Sequence, residues 1–175
     1  MGNWLRLDEK ENAIDFLEKT AYFLETIPDE TRWKWVSISL HGAVYGFAIC
    51  ALKGSSAECR RVVYDKKGER WVIGIKRAIA WCQDEKRMRQ YTNSKALTLS
   101  PDEESAICLL IDQLRNNFEH FDPKGWSIEI SGMPEIVRHV LRVIEFLVLG
   151  SGNVTLDDKQ MDRFNAAVGR IKTAL

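Results

Sequence analysis

Apolar residues recur at steps of three and four along most of this chain, the spacing that gathers them on one face of an α-helix. From Asp8 to Ile27 the stripe is Ile14, Leu17, Ala21 and Leu24, and Pro28 ends it. Val36 to Leu52 is a run of 17 residues without Asp, Glu, Lys or Arg. Ser37, Ser39, His41, Gly42 and Gly46 dilute it, and a membrane span takes about 20 predominantly apolar residues, so it reads as the central helix of a bundle. Gly42 and Gly46, one helical turn apart, mark a close helix contact, within the fold or across a dimer. Helical spacing returns from Gly74 to Tyr91 through Ile75, Ala78, Ile79 and Cys82, and a loop follows from Asn93 to Thr98.

Later elements announce their ends. Ser100 can cap, Pro101 suits a first helical position and Glu103 completes a capping box. The helix they open runs through Ile107, Leu110, Ile111, Leu114 and Phe118 to Phe121, and stops before Asp122-Pro123. Gly125 to Ile130 is expected to be extended. Pro134 opens a helix striped by Val137, Val140, Leu141, Ile144, Leu147 and Val148 and closed by Gly150. Thr155 is expected to cap a last helix, about 156–175, carrying Met161, Phe164, Val168, Ile171 and Leu175. Between these helices, the β-rich triplets Val62 to Tyr64 and Trp71 to Ile73 flank a lysine and glycine turn and predict a hairpin over about 62–73.

Composition narrows the class. With 175 residues, 45% of them hydrophobic, and 4 prolines, the chain should form one folded domain over 1–175. Its pattern is mainly all-α. Cys50, Cys59, Cys82 and Cys108 show no zinc-ligand spacing and are expected to be reduced and mostly buried. The first ten residues lack the order of a signal peptide, which points to a cytoplasmic protein with no membrane attachment.

Charge adds one feature. Lys and Arg balance Asp and Glu at 25 each, yet Lys53 to Lys95 holds 12 basic residues against 5 acidic. A basic face containing Arg60, Arg61, Lys66 and Lys67 could meet RNA, or could be a plain solvated surface.

The candidate chemistry lies in Leu114 to Phe121, LRNNFEHF. On a regular helix Asn116 and His120 share nearly one face, with Arg115 about 140° from His120. Histidine moves protons near neutral pH, and a guanidinium grips phosphate through paired hydrogen bonds. Phosphodiester cleavage needs both tasks, and attack by the ribose 2′-hydroxyl requires neither metal nor cofactor. Glu119 can pair with Arg115 at the i, i+4 spacing and keep it aimed.

Arg115-Asn116 followed by His120, late in a helix of a helical chain, resembles the RNxxxH signature of HEPN domains. The resemblance implies an up-and-down helical bundle with a core over about 8–150, to which the hairpin and the last helix are additions. It implies a homodimer in which two copies of the motif face one another. It also implies a metal-independent endoribonuclease of the toxin–antitoxin or phage-defence kind, with RNA as substrate and an antitoxin or effector-complex partner. Arg115 becomes the phosphate contact, His120 the proton-transfer group and Asn116 the residue that orients them. One HEPN subgroup carries a tyrosine two residues after the histidine; this chain has Asp122 there, so regulation by modification of that tyrosine is not expected.

Plainer readings stand beside this one. Arg115 and His120 could be cationic residues at an ordinary helix end, and His41 a hydrogen-bonded core histidine. His139 reads as surface, the six tryptophans as packing residues, and Cys59 as structural despite Arg60 and Arg61. From other classes come a catalytically silent module that binds nucleotide or a partner protein in the same cleft, and a purely structural dimer subunit.

Overall fold

The computed structural model describes residues 2, 4, 5, 7–54, 64, 72–119, 123 and 125–175. They form a mainly helical structure with no strand among them. In order come α1 (Glu9–Thr26), α2 (Arg32–Lys53), α3 (Ile75–Cys82), α4 (Glu85–Met88) and α5 (Pro101–Leu109). A π-helical stretch, Leu110–Arg115, joins α5 directly to α6 (Asn116–Glu119). Then α7 (Met133–Glu145) runs on as a second π-helical stretch, Phe146–Gly150, and α8 (Asp158–Ala174) closes the chain.

The central element is α2, because it packs against α1, α3, α7 and the first π-helical stretch. Its length and composition would suit a membrane span, but 61% of its apolar window is buried inside the fold. Val36, Leu40, Ala43, Val44, Phe47 and Ala48 are all at most 1% exposed. Fully burying a side chain of Val, Leu or Phe size contributes about 1.5–3 kcal/mol before entropy is counted.

The glycine pair acts within the fold. A Cβ on Gly46 would lie 2.7 Å from the Cβ and 3.2 Å from the Cα of Ala13 on α1, and one on Gly42 would lie 2.6 Å from the Phe16 ring. Without those side chains α1 lies close along α2. A polar tie sits in the same seam, where the Thr20 hydroxyl donates to Ser39 Oγ at 2.9 Å.

Helix α8 packs into the core rather than outside it. Phe164, Ala167, Val168 and Ile171 are buried, and the Phe164 ring meets Phe47 edge-on with centroids 5.6 Å apart. Arg163 holds α8 to α1, donating to Glu11 at 2.6 Å and to Glu18 at 2.9 and 2.7 Å. The hydrogen bond from Arg163 keeps the Glu18 carboxyl below the usual carboxylate range. At the other end of α2, buried Asn153 donates to the carbonyls of Ala51 and Met88 at 3.1 and 2.9 Å, and accepts from the Ser94 hydroxyl at 2.6 Å. These bonds tie the segment after the second π-helical stretch to α2, to α4 and to the loop at Ser94.

Several local expectations change. The predicted helix from Gly74 to Tyr91 is split after Cys82, because the Asp84 carboxylate accepts from the Lys86 N–H and starts a new turn. The cap of the last helix is Asp157, not Thr155: Asp157 and Gln160 form a reciprocal capping box, while the Thr155 carbonyl accepts from Lys10 Nζ. Residues 125–130, expected to be extended, lie in neither a helix nor a strand. Cys50 and Cys82 are buried, and their thiols are pushed up to about 12 by burial, but Cys108 is exposed. The hairpin expected over 62–73 lies mostly outside the described residues, which show one isolated antiparallel bridge between Tyr64 and Val72. The capping box at Ser100, by contrast, is present as expected, with Glu103 N–H donating to Ser100 Oγ and Ser100 N–H to Glu103 Oε2.

The seam between α1 and α2 makes a direct prediction. Gly46→Ala must push one backbone from another and should cost about 1–3 kcal/mol, or a fall of roughly 2–4 °C in Tm for each kcal/mol. Gly42→Ala meets only a ring that can turn and should cost less. Thermal unfolding of both variants by circular dichroism checks the order; equal effects would show that the two glycines do not differ in this way.

Candidate active site

Arg115 stands where the π-helical stretch gives way to α6. A π-helical turn carries one extra residue, so the 100° wheel used for a regular helix does not hold through Leu110–Arg115. Such turns are frequent at functional sites. Leu110, Ile111 and Leu114 stay buried, while Arg115 comes out beside the core with its side chain 31% exposed.

Its guanidinium is held at two corners. One terminal nitrogen donates to Asn116 Oδ1 at 3.1 Å and the other lies 2.5 Å from Glu119 Oε2. The third donor, Nε–H, is buried and has no partner. The structure thus brings Arg115, Asn116 and Glu119 together, and Glu119 pairs with the arginine at the expected spacing. His120 lies outside the described residues, as do Arg60, Arg61, Lys66 and Lys67. Phe118, expected on the core stripe, is only half-buried, its ring 5.1 Å from that of partly exposed Trp126.

Arg115 and Glu119 open onto a groove of about 440 Å³. Phe16 of α1 and Ile38, Tyr45 and Ile49 of α2 give it apolar walls, and Gly42 and Gly46 lie along it. Val72, at the end of the isolated bridge, also lines it, and the Tyr45 hydroxyl donates to the next carbonyl, that of Ile73, at 2.7 Å. At one end Glu9 is paired with Lys53.

His41 lies in this groove, not in the core. It is half-buried, and its ring nitrogens have no hydrogen-bond partner among the described residues. The nearest ring is Tyr45, with centroids 6.4 Å apart. Burial, and then the Arg115 charge, push the imidazole down to about 4, with Glu119 pulling the other way. His41 is therefore neutral at pH 7. The sequence carries only a partial signal of this placement. Ile38, His41, Gly42, Tyr45 and Ile49 form a second stripe at three and four spacing on α2, beside the buried one.

The basic middle segment is partly engaged. Lys76 pairs with Asp112 at 2.6 Å, and the Arg87 guanidinium lies 3.8 Å from the centroid of the Trp81 ring. Lys86, Arg89 and Lys95 are exposed. Among the described residues no group of three His, Cys, Asp or Glu side chains converges as a metal would require. No family model, curated protein or solved structure matches the chain.

The groove electrostatics can be tested without substrate. His41 should titrate near 4, and Arg115→Met should move it upward yet leave it below 6.5, since burial is the larger cause. Glu119→Gln should move it down. A folded-state value below the unfolded one also means that His41 stabilises the fold at neutral pH, and that this contribution fades as pH falls from about 6.5 to about 4. Imidazole NMR titrations check the set; a His41 that titrates near 6.5 contradicts the buried placement.

Proposed function

We propose that this chain is a HEPN-type, metal-independent endoribonuclease working as a homodimer. The reading is carried by one observation: the arginine of the Arg115-Asn116-xxx-His120 sequence is held by Asn116 and Glu119 at the wall of an open groove, with a buried donor still unpartnered. In this reading Arg115 grips the phosphate, His120 moves the proton and Asn116 orients the arginine. Exposed Lys86, Arg89 and Lys95, together with Arg60, Arg61, Lys66 and Lys67, supply general attraction to RNA. The bundle is of HEPN type, with the 62–73 hairpin and the last helix as additions, and the protein serves as a cytoplasmic toxin or phage-defence effector with an antitoxin or effector-complex partner.

A second reading has its own support. Glu119 already occupies one edge of the Arg115 guanidinium, as it would in a catalytically silent module whose groove binds nucleotide or a partner protein.

Purified protein incubated with cellular RNA in EDTA decides between them. Cleavage is expected, with Arg115→Ala and His120→Ala each lowering the rate by about 100-fold or more. Intact RNA, or breakage that survives His120→Ala, ends the enzyme reading. Saturable nucleotide binding without breakage establishes the silent module. Sedimentation of a monomer at micromolar concentration removes the paired cleft.

A further inference from the structure

We propose that His41 is the proton acceptor of the groove, taking the 2′-hydroxyl proton of an RNA substrate whose phosphate is held by Arg115. The proposal rests on the ribonuclease reading and deepens it.

Metal-free cleavage of an RNA phosphodiester needs two proton transfers. One group removes the proton of the attacking 2′-hydroxyl, and another gives a proton to the departing 5′-oxygen. The motif supplies one histidine. Of the chain's three histidines, His139 sits on α7 with Glu135 and Arg142, and His41 shares its groove with Arg115.

Two polar groups meet at this groove. The His41 ring nitrogens lack partners among the described residues, and Arg115 Nε–H is buried without one. An imidazole free to bond and a guanidinium on the wall of one groove suit an anionic ligand. The cavity, about 440 Å³, falls within the range of sites that take small organic ligands. Its apolar walls suit a nucleobase and its arginine a phosphate. Tyr45 beside His41 is anchored through its hydroxyl to the Ile73 carbonyl, which limits how the wall can shift.

Among the described residues, the charged and titratable groups that share the groove with His41 are Glu9 from α1, Tyr45 from its own helix, Arg115 from the π-helical stretch and Glu119 from α6. Glu9 is engaged with Lys53 and Glu119 with Arg115. In the free protein the ring is neutral and can accept a proton. Substrate phosphate then offsets the Arg115 charge, so the proton affinity of His41 rises when a proton must be taken up. In the step, the 2′-O–H proton passes to His41 as the 2′-oxygen bonds to phosphorus. The P–O5′ bond breaks, and the leaving oxygen takes a proton, a transfer that the ribonuclease reading assigns to His120. The products are a 2′,3′-cyclic phosphate and a 5′-hydroxyl, and water exchange restores both rings.

The test compares wild type, His41→Asn and His120→Ala on a single-stranded RNA oligomer in EDTA across pH 4 to 9. His41→Asn should lower kcat by about 100-fold or more with little change in KM, lose the acidic limb of the pH profile, and keep the wild-type circular dichroism spectrum. Where that variant fails to fold, the wild-type protein gives the answer by NMR. Uridine 3′-monophosphate should raise the His41 titration, and Arg115→Met should abolish the rise. His41→Asn activity within threefold of wild type with the acidic limb intact, or a His41 titration unmoved by bound nucleotide, overturns the role of His41 while leaving the ribonuclease reading in place. Wild-type protein that cleaves no RNA removes both.

Discussion

The close approach of α1 and α2 is the constraint on which the rest depends. Two helices whose backbones nearly touch at Gly46 and Ala13 leave no room for a side chain there, and the contact sets how α1 lies along the central helix. Because α2 is buried on one stripe and open on the next, the same contact shapes the groove that Phe16, Ile38 and Tyr45 line. Arg163 and the core residues of α8 then hold α1 from the far side, so the groove wall is braced on both faces. A site that must orient a phosphate gains from walls that cannot move apart.

Arg115 is held by partners that can let go. An i, i+4 ion pair on a helix contributes only a few tenths of a kcal/mol, and Glu119 is about a third exposed, so under the proposed ribonuclease reading an incoming phosphate would compete with a weak resident. In that reading the hydrogen bond to Asn116 would keep the guanidinium's direction during the exchange. The neighbouring imidazole is shielded from water by the same walls, and its charge state is coupled to that of the arginine. Under the proposed reading, the groove would be quiet when empty and would change its protonation when an anion enters.

Much of the helical layout was legible because burial and capping are local in sequence. The stripe Ile14, Leu17, Ala21, Leu24 and the box at Ser100 and Glu103 are each contained within a few turns, and both appear as read. The split after Cys82 was harder to see, since the apolar spacing continues across it and only Asp84, an ordinary capping residue, betrays the new turn. Thr155 and Asp157 are both acceptable caps, and Gln160 decides between them by bonding back. Arg115, Asn116 and Glu119 were visible as a local motif. His41 was not, because it comes from a helix more than 70 positions away and its meaning depends on which side of α2 the fold leaves open. No periodicity within one segment carries that information.

The π-helical stretch has a consequence for how this sequence tolerates length changes. Leu110–Arg115 holds one residue more than the same span of α-helix needs. Losing a single residue there would regularise the element, and everything downstream would keep nearly its present face of the axis, because the π-helical turn already absorbs the surplus residue. The surplus residue works as slack, so a one-residue deletion in this stretch is absorbed, whereas the same deletion within α2 would turn everything beyond it by about 100° around the axis.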